Sequence, residues 1–165
     1  MKDSVDAIVA QWAQVHPGMD VSPMAVIGRL SRLTRHVERE LQAVFAQHGL
    51  QPGEFDLLAT LRRADTDGAG LTAGQLAESA MVTSGAITNR LDRLLAKDLI
   101  TRDTDPSSRR TIRVGLTPRG REVVDAALRD HVDNEQRLLS ALTTDQRDEL
   151  EGLLRVLLHD REGAG

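Results

Sequence analysis

At 165 residues and a formal net charge of −4, the chain is long enough to bury a real core, and its overall acidity argues against indiscriminate binding of polyanions. It has no cysteine, which excludes a disulfide framework, thiolate metal sites and thiol redox switching. It also lacks an apolar run of about eighteen residues and a charged-then-apolar leader, so a cytoplasmic protein with no membrane span is expected.

The first predicted element is a short amphipathic helix from Asp3 to Val15, with Val5, Ile8, Val9 and Trp12 on one face, closed by His16-Pro17-Gly18. A long helix is expected from Ser22-Pro23 to His48-Gly49. Its stripe is Ile27, Leu30, Leu33, Val37, Leu41, Val44 and Phe45, and Gly49 is its C-terminal cap. Pro52 opens a third helix to about Arg63, and Asp65 to Gly70 is an acidic, glycine-rich loop. Leu71 to Val82 reads as a helix of about two turns followed by an apolar turn.

Thr83 then stands where an N-cap belongs, before a helix from Ser84 to Lys97. On that helix Ile87, Leu91, Leu94 and Leu95 mark a face that must be buried, and Gly85, Thr88, Asn89, Asp92 and Arg93 lie opposite or on its flanks. Leu99 to Asp103, a turn through Pro106, Ser107 and Ser108, and Thr111 to Leu116 form a predicted β-hairpin. Thr117-Pro118 starts a long helix to about Leu139. Thr143 starts the last, to about Asp160, carrying Leu150, Leu153, Leu154, Leu157 and Leu158.

A two-helix unit followed by an arginine-bearing hairpin is the order of a winged helix-turn-helix, so the fold class expected is mainly α with a small β-hairpin. Charge supports this once it is read by region. Ser84 to Arg113 holds seven basic and four acidic residues, whereas Thr117 to Gly165 holds seven basic and eleven acidic. A local cationic patch can neutralise phosphate although the whole chain is acidic. Ser84, Thr88 and Asn89 are candidates for base or backbone contact, with Thr83 and Gly85 beside them. Arg93 is a candidate phosphate ligand, and Arg109 and Arg110 at the hairpin tip are candidates for the minor groove. The outer helices carry more apolar surface than one chain can cover, which points to a homodimer reading a palindrome with recognition helices roughly 34 Å apart.

The segments Leu71-Thr72, Gln75-Leu76-Ala77, Val82 to Leu94 and Leu116-Thr117-Pro118-Arg119-Gly120 resemble the MarR family of dimeric regulators over essentially the whole chain. The extra N-terminal helix with its tryptophan, Asp20 to Leu30, and Glu54 to Leu61 are similar to its urate-responsive, PecS-type branch. The resemblance implies a dimeric architecture. Residues 1–50 and 117–165 would dimerise, with 1–50 also forming a pocket wall, and 51–116 would form the DNA-reading lobe. It further implies a pocket for a small anionic effector, urate in that branch, at Trp12, Asp56, Arg90 and Arg102. The chain departs from the family at Ser108, where an aspartate often precedes the paired arginines.

The residues themselves leave alternatives open. At about 100° per residue Arg90 borders the buried face, where a guanidinium wants an internal anion: Asp56, a bound ligand or a phosphate. Trp12 suits an interface as well as a flat ligand. Asp56 suits a helix N-terminus, and Arg102 suits a phosphate. His36 is a candidate pH-sensitive group at a dimer pivot. The five histidines are scattered and there is no phosphate loop, so neither an enzyme nor a metal or cofactor site is expected. The reading is a ligand-released repressor. A regulator answering another organic acid or a phenolic, and an effector-independent DNA-binding module, remain beside it.

Overall fold

The structure is a computed structural model in which residues 2–66, 68–80 and 84–163 are described. Its elements, in chain order, are α1 (Ser4–Val15), α2 (Pro23–Gln47), α3 (Pro52–Ala64), β1 (Leu71–Thr72), α4 (Ala73–Ser79), α5 (Ser84–Ala96), β2 (Ile100–Asp105), β3 (Ser108–Leu116), α6 (Pro118–Leu138) and α7 (Thr144–Glu162). They fall into two compact units, Met1–Ala43 and Val44–Gly165.

In the first unit, Asp3 caps α1 by accepting from the backbone N–H groups of Val5 and Asp6, and the Asp6 carboxylate returns to the N–H of Asp3. Arg29 of α2 binds both carboxylates, at 2.9 Å and 2.7 Å, and Val5 is buried against Gly28. Trp12 stacks on His16 with ring centroids 5.7 Å apart and stays 43% exposed.

The second unit is built around α3. Leu57, Leu58 and Leu61 are fully buried there, with Leu76 of α4, Leu94 of α5 and Ile100 of β2 completing the core. α2 ends at Gly49 through paired backbone bonds, Leu50 N–H to Phe45 and Gly49 N–H to Ala46, which bring Phe45 onto Phe55 with ring centroids 4.2 Å apart. Thr117 and Thr143 cap α6 and α7 with their hydroxyls.

Two expectations are corrected. Leu71 and Thr72 form the edge strand β1, paired with Val114 and Arg113, so the hairpin is part of a three-stranded antiparallel sheet in the order β1-β3-β2. Thr72 still caps α4, accepting from the Gln75 N–H. Leu95 is 42% exposed, because at about 80° from Ile87 it falls at the rim of the buried face of α5. Of the long stripe on α2, only Val44 and Phe45 are buried, and α7 buries no side chain.

Candidate functional site

Arg90, Arg93 and Lys97 lie within about 60° of one another around α5, so all three leave it on one flank. That flank meets the first turn of α3. Glu54 there is fully buried, and its carboxylate accepts from Lys97 Nζ at 2.7 Å, Arg93 Nε at 3.1 Å and the Gln51 N–H at 2.8 Å. Burial pushes its pKa up, but the bonds from Lys97, Gln51 and Arg93 together hold it below the ordinary glutamate range. Lys97 also donates to the Gly49 carbonyl at 2.8 Å, so the C-terminal end of α5 is tied to the α2–α3 corner.

Arg90 is treated differently. Its guanidinium lies on the bare backbone of Gly53, so closely that a Cβ there would sit 2.3 Å from Cζ. Its Nη1 is buried and has no hydrogen-bond partner among the described residues. Asp56 is near enough for Arg90 to pull its pKa down, but desolvation is the larger influence. The carboxyl is held above the ordinary aspartate range in spite of Arg90, His131 and Arg63. Among the described residues Arg90 and Asp56 form no ion pair, so the guanidinium keeps an uncompensated edge.

Arg102 occupies the other flank of α5. Its Nη1 meets Asp92 Oδ1 at 2.7 Å, and it lines a groove of about 490 Å³ with Ala73, Ala77, Ile87, Leu91 and Ile112. Asp92 is two residues from Arg90 and therefore about 160° away around the helix. Arg90 thus acts electrostatically on Asp56 and leaves α5 on the flank away from Arg102. Trp12 belongs to the first unit.

Of the residues expected to contact DNA, Thr88 and Asn89 are exposed on α5. Ser84 and Gly85 open that helix, with their side chains outside the described residues, and Thr83 lies outside them entirely. Arg93, a candidate phosphate ligand, is half-exposed but held by Glu54. Arg110 is exposed on β3, which also contains Arg109, whose side chain lies outside the described residues.

Asp105 braces the turn before them. Its buried carboxylate accepts from the Ser107 hydroxyl at 2.5 Å, from the Ser107 N–H at 2.7 Å and from Arg113 Nε. The Ser107 hydroxyl, then Arg113 and the Ser107 N–H, lower its pKa to about 2. Arg113 continues to the Gly70 carbonyl at 2.9 Å, which links the hairpin to the entry of β1. Where the family often has an aspartate, the Ser108 hydroxyl accepts from the Thr111 hydroxyl at 3.1 Å.

Arg93, Lys97, Arg102 and Arg113 are therefore engaged by carboxylates of the chain itself. The cationic surplus counted along the sequence is in large part internal. Sequence reasoning passed over three residues here: Gly53, Glu54 and His131. The His131 ring packs on Phe45 and Phe55, and its Nδ1 is buried without a partner among the described residues. Only Glu54 had a local signal, as an acid in the first turn behind Pro52.

The profile of the MarR family matches residues 50–112. The HTH-type transcriptional regulator PecS of Dickeya dadantii (strain 3937) is 36% identical over 94% of this chain and 93% of its own length. The chain belongs to the MarR family. Its winged helix-turn-helix is shared with a mutant MarR from E. coli crystallised with operator DNA: 27% identity, TM-score 0.69, covering 89% of this chain and 97% of that one. AbsC from Streptomyces coelicolor, 21% identical, shares the fold with a TM-score of 0.73 over 88% of this chain and 97% of its own. MarR-family membership makes this chain a transcriptional regulator, and among its described residues no helix is long and apolar enough to cross a membrane.

Proposed function

We propose that the protein is a cytoplasmic, homodimeric repressor that binds a palindromic operator and is released by a small anionic ligand, urate or a related purine. The observation that carries the ligand reading is Arg90: a cation on the DNA-reading helix with a buried, unpartnered Nη1. An anion engaging that edge would gain a charge-assisted hydrogen bond that no described residue supplies. It would also crowd Asp56, the carboxyl beside that arginine whose pKa is held above the ordinary aspartate range. Because Arg90 is part of α5, relief of that conflict moves the helix that enters the groove. The ligand shifts the equilibrium only by its differential affinity for the two states, typically about 1–3 kcal/mol.

Dimerisation accounts for the apolar faces that one chain leaves open, Ile27 and Leu33 on α2 and Leu153, Leu157 and Leu158 on α7. In this reading residues 1–50 and 117–165 dimerise and 51–116 read DNA. Thr83, Ser84, Gly85, Thr88 and Asn89 face the major groove, and Arg109 and Arg110 face the minor groove. Trp12 keeps the ligand role that the motif match implies. Arg90→Ala or Asp56→Asn is expected to blunt urate release of operator DNA in a gel shift while sedimentation still reports a dimer. An unchanged response in both variants would sink the urate reading.

A second reading rests on the groove beside Arg102, whose apolar lining and single arginine suit an aromatic acid or phenolic. A thermal-shift panel of urate, xanthine, citrate, aconitate and salicylate separates the readings. A flat response to every compound would favour an effector-independent DNA-binding module.

A further inference from the structure

We propose that Gly53 is a positioning residue of the anion site: its missing side chain makes the flat seat that holds the Arg90 guanidinium ready for a ligand. This rests on the reading of Arg90 as the anion-binding cation. Three atoms of that side chain, Cζ, Nε and Nη1, would lie 2.3, 2.5 and 2.8 Å from a Cβ at position 53. All three distances are below any ordinary contact, so Gly53 and Arg90 as placed exclude every residue but glycine at that position.

The seat cannot retreat. Pro52 fixes the backbone immediately before it, Glu54 immediately after it is fully buried and tied to Lys97, Arg93 and the Gln51 N–H, and Phe55 is stacked on Phe45. The part that gives way to a Cβ is therefore the guanidinium. Of the carboxylates on this turn, Glu54 is already occupied by two cations, and Asp56 forms no ion pair with Arg90 among the described residues.

Helix stability does not explain the glycine. It is the second residue of α3, where alanine would make a better helix. A residue that weakens its own helix and touches a binding side chain instead is the pattern of a position chosen for the site. What the seat supplies is pre-organisation. The planar guanidinium lies against backbone rather than sampling rotamers, so little freedom is lost when an anion is bound.

The test is a double-mutant cycle on the full-length protein with urate as the probe, read by calorimetry. Gly53→Ala is expected to weaken urate binding at least tenfold with no fall in Tm. Gly74→Ala, at the matching second position of α4 where the nearest atom to a Cβ is 3.9 Å away, is expected to leave it at the wild-type value. In an Arg90→Ala background, Gly53→Ala is expected to have no further effect, because the glycine acts only through that arginine. A Gly53→Ala protein that binds urate within twofold of wild type overturns the proposal.

A second readout needs no ligand. The Nε–Hε resonance of Arg90, assigned by its loss in Arg90→Ala, is expected to shift in Gly53→Ala and not in Gly74→Ala. If wild-type protein does not bind urate, the urate reading fails, and this resonance alone decides on the seat: an unmoved signal overturns it. If Gly53→Ala does not fold, the Gly53→Ala/Arg90→Ala double variant is expected to fold, since the three atoms nearest to a Cβ at position 53 all belong to the Arg90 guanidinium end, and its failure to do so also overturns the proposal.

Discussion

On one flank of α5, Arg93 and Lys97 converge on a carboxylate that no solvent reaches, whereas on the other Arg102 meets an Asp92 that is 56% exposed. Both flanks carry opposite charges at similar distances, yet they do different things. A buried carboxylate has lost its hydration and must keep its partners, so it fixes the helix. A wet one has water as an alternative and fixes little. The same logic separates Glu54 from Asp56 two residues on. The first is lowered by the bonds it receives and the second is raised for want of them. Arg90, between the two, is a cation whose Nη1 has no hydrogen-bond partner among the described residues.

The sharpest way to break this comparison is to discharge Glu54. Glu54→Gln keeps the shape but leaves Arg93 and Lys97 facing a neutral group. Because both cations are partly in water, a loss of about 2–3 kcal/mol is expected, below the range for a fully buried pair. Urea unfolding measures it. The folded pKa of Glu54 is below its unfolded value, so its contribution is complete above the ordinary glutamate range and is lost as pH falls toward the folded pKa. The variant is therefore expected to lose part of the acid limb of the stability profile. A full-sized limb would show that Glu54 is not the anchor.

The hairpin offers the next effect, on DNA rather than on global stability. Arg113→Leu removes the link from Asp105 to the Gly70 carbonyl, and the tip bearing Arg109 and Arg110 loses its brace. Operator affinity is expected to fall about tenfold, roughly the 1.4 kcal/mol that one well-placed arginine contact supplies. A gel-shift titration reads this. Asp105, with its pKa lowered to about 2, holds Arg113 at every pH above the ordinary aspartate range, so the brace loosens only as pH falls from there toward 2.

How far the sequence carried the reading follows from where each signal lay. The caps at Thr117 and Thr143 and the stop at Gly49 were legible because residue and partner sit within a few positions. β1 was not. Two residues have no period to detect, and their partners, Val114 and Arg113, lie far along the chain. Arg90 was legible as an arginine at the rim of a buried face, but its seat on Gly53 was not, because a glycine in a first turn reads as nothing. Glu54 carried a dipole signal and hid its use, since Arg93 and Lys97 are 39 and 43 residues away. The cation count failed for the same reason: sequence shows charges, and only the fold shows which are already answered.

Asp56 supplies a smaller effect of opposite sign to Glu54. Its folded pKa is raised, so its contribution to stability is present below the unfolded value and is lost as pH rises through the folded one. At neutral pH its charge is a burden. Asp56→Asn is expected to be neutral or stabilising by no more than about 0.5 kcal/mol, since the carboxyl is partly open to water. Thermal melts at pH 7 and at pH 4 check it: a destabilised variant at neutral pH would mean that Arg90 holds Asp56 after all.

The smallest expected change tests the wet flank. Asp92→Asn removes one member of an exposed pair and is expected to alter stability by less than about 0.5 kcal/mol in urea unfolding. Its value lies in the groove. With the carboxylate gone, Arg102 on the apolar lining is released from its ion pair, and an aromatic acid no longer competes with Asp92 for it. If salicylate binds there, the thermal shift it produces is expected to grow in Asp92→Asn and to vanish when Arg102→Ala is added, while the response to urate stays at its wild-type size. If both ligands change together, the two flanks share one site, and the separation of Arg90 from Arg102 does not hold for the liganded protein.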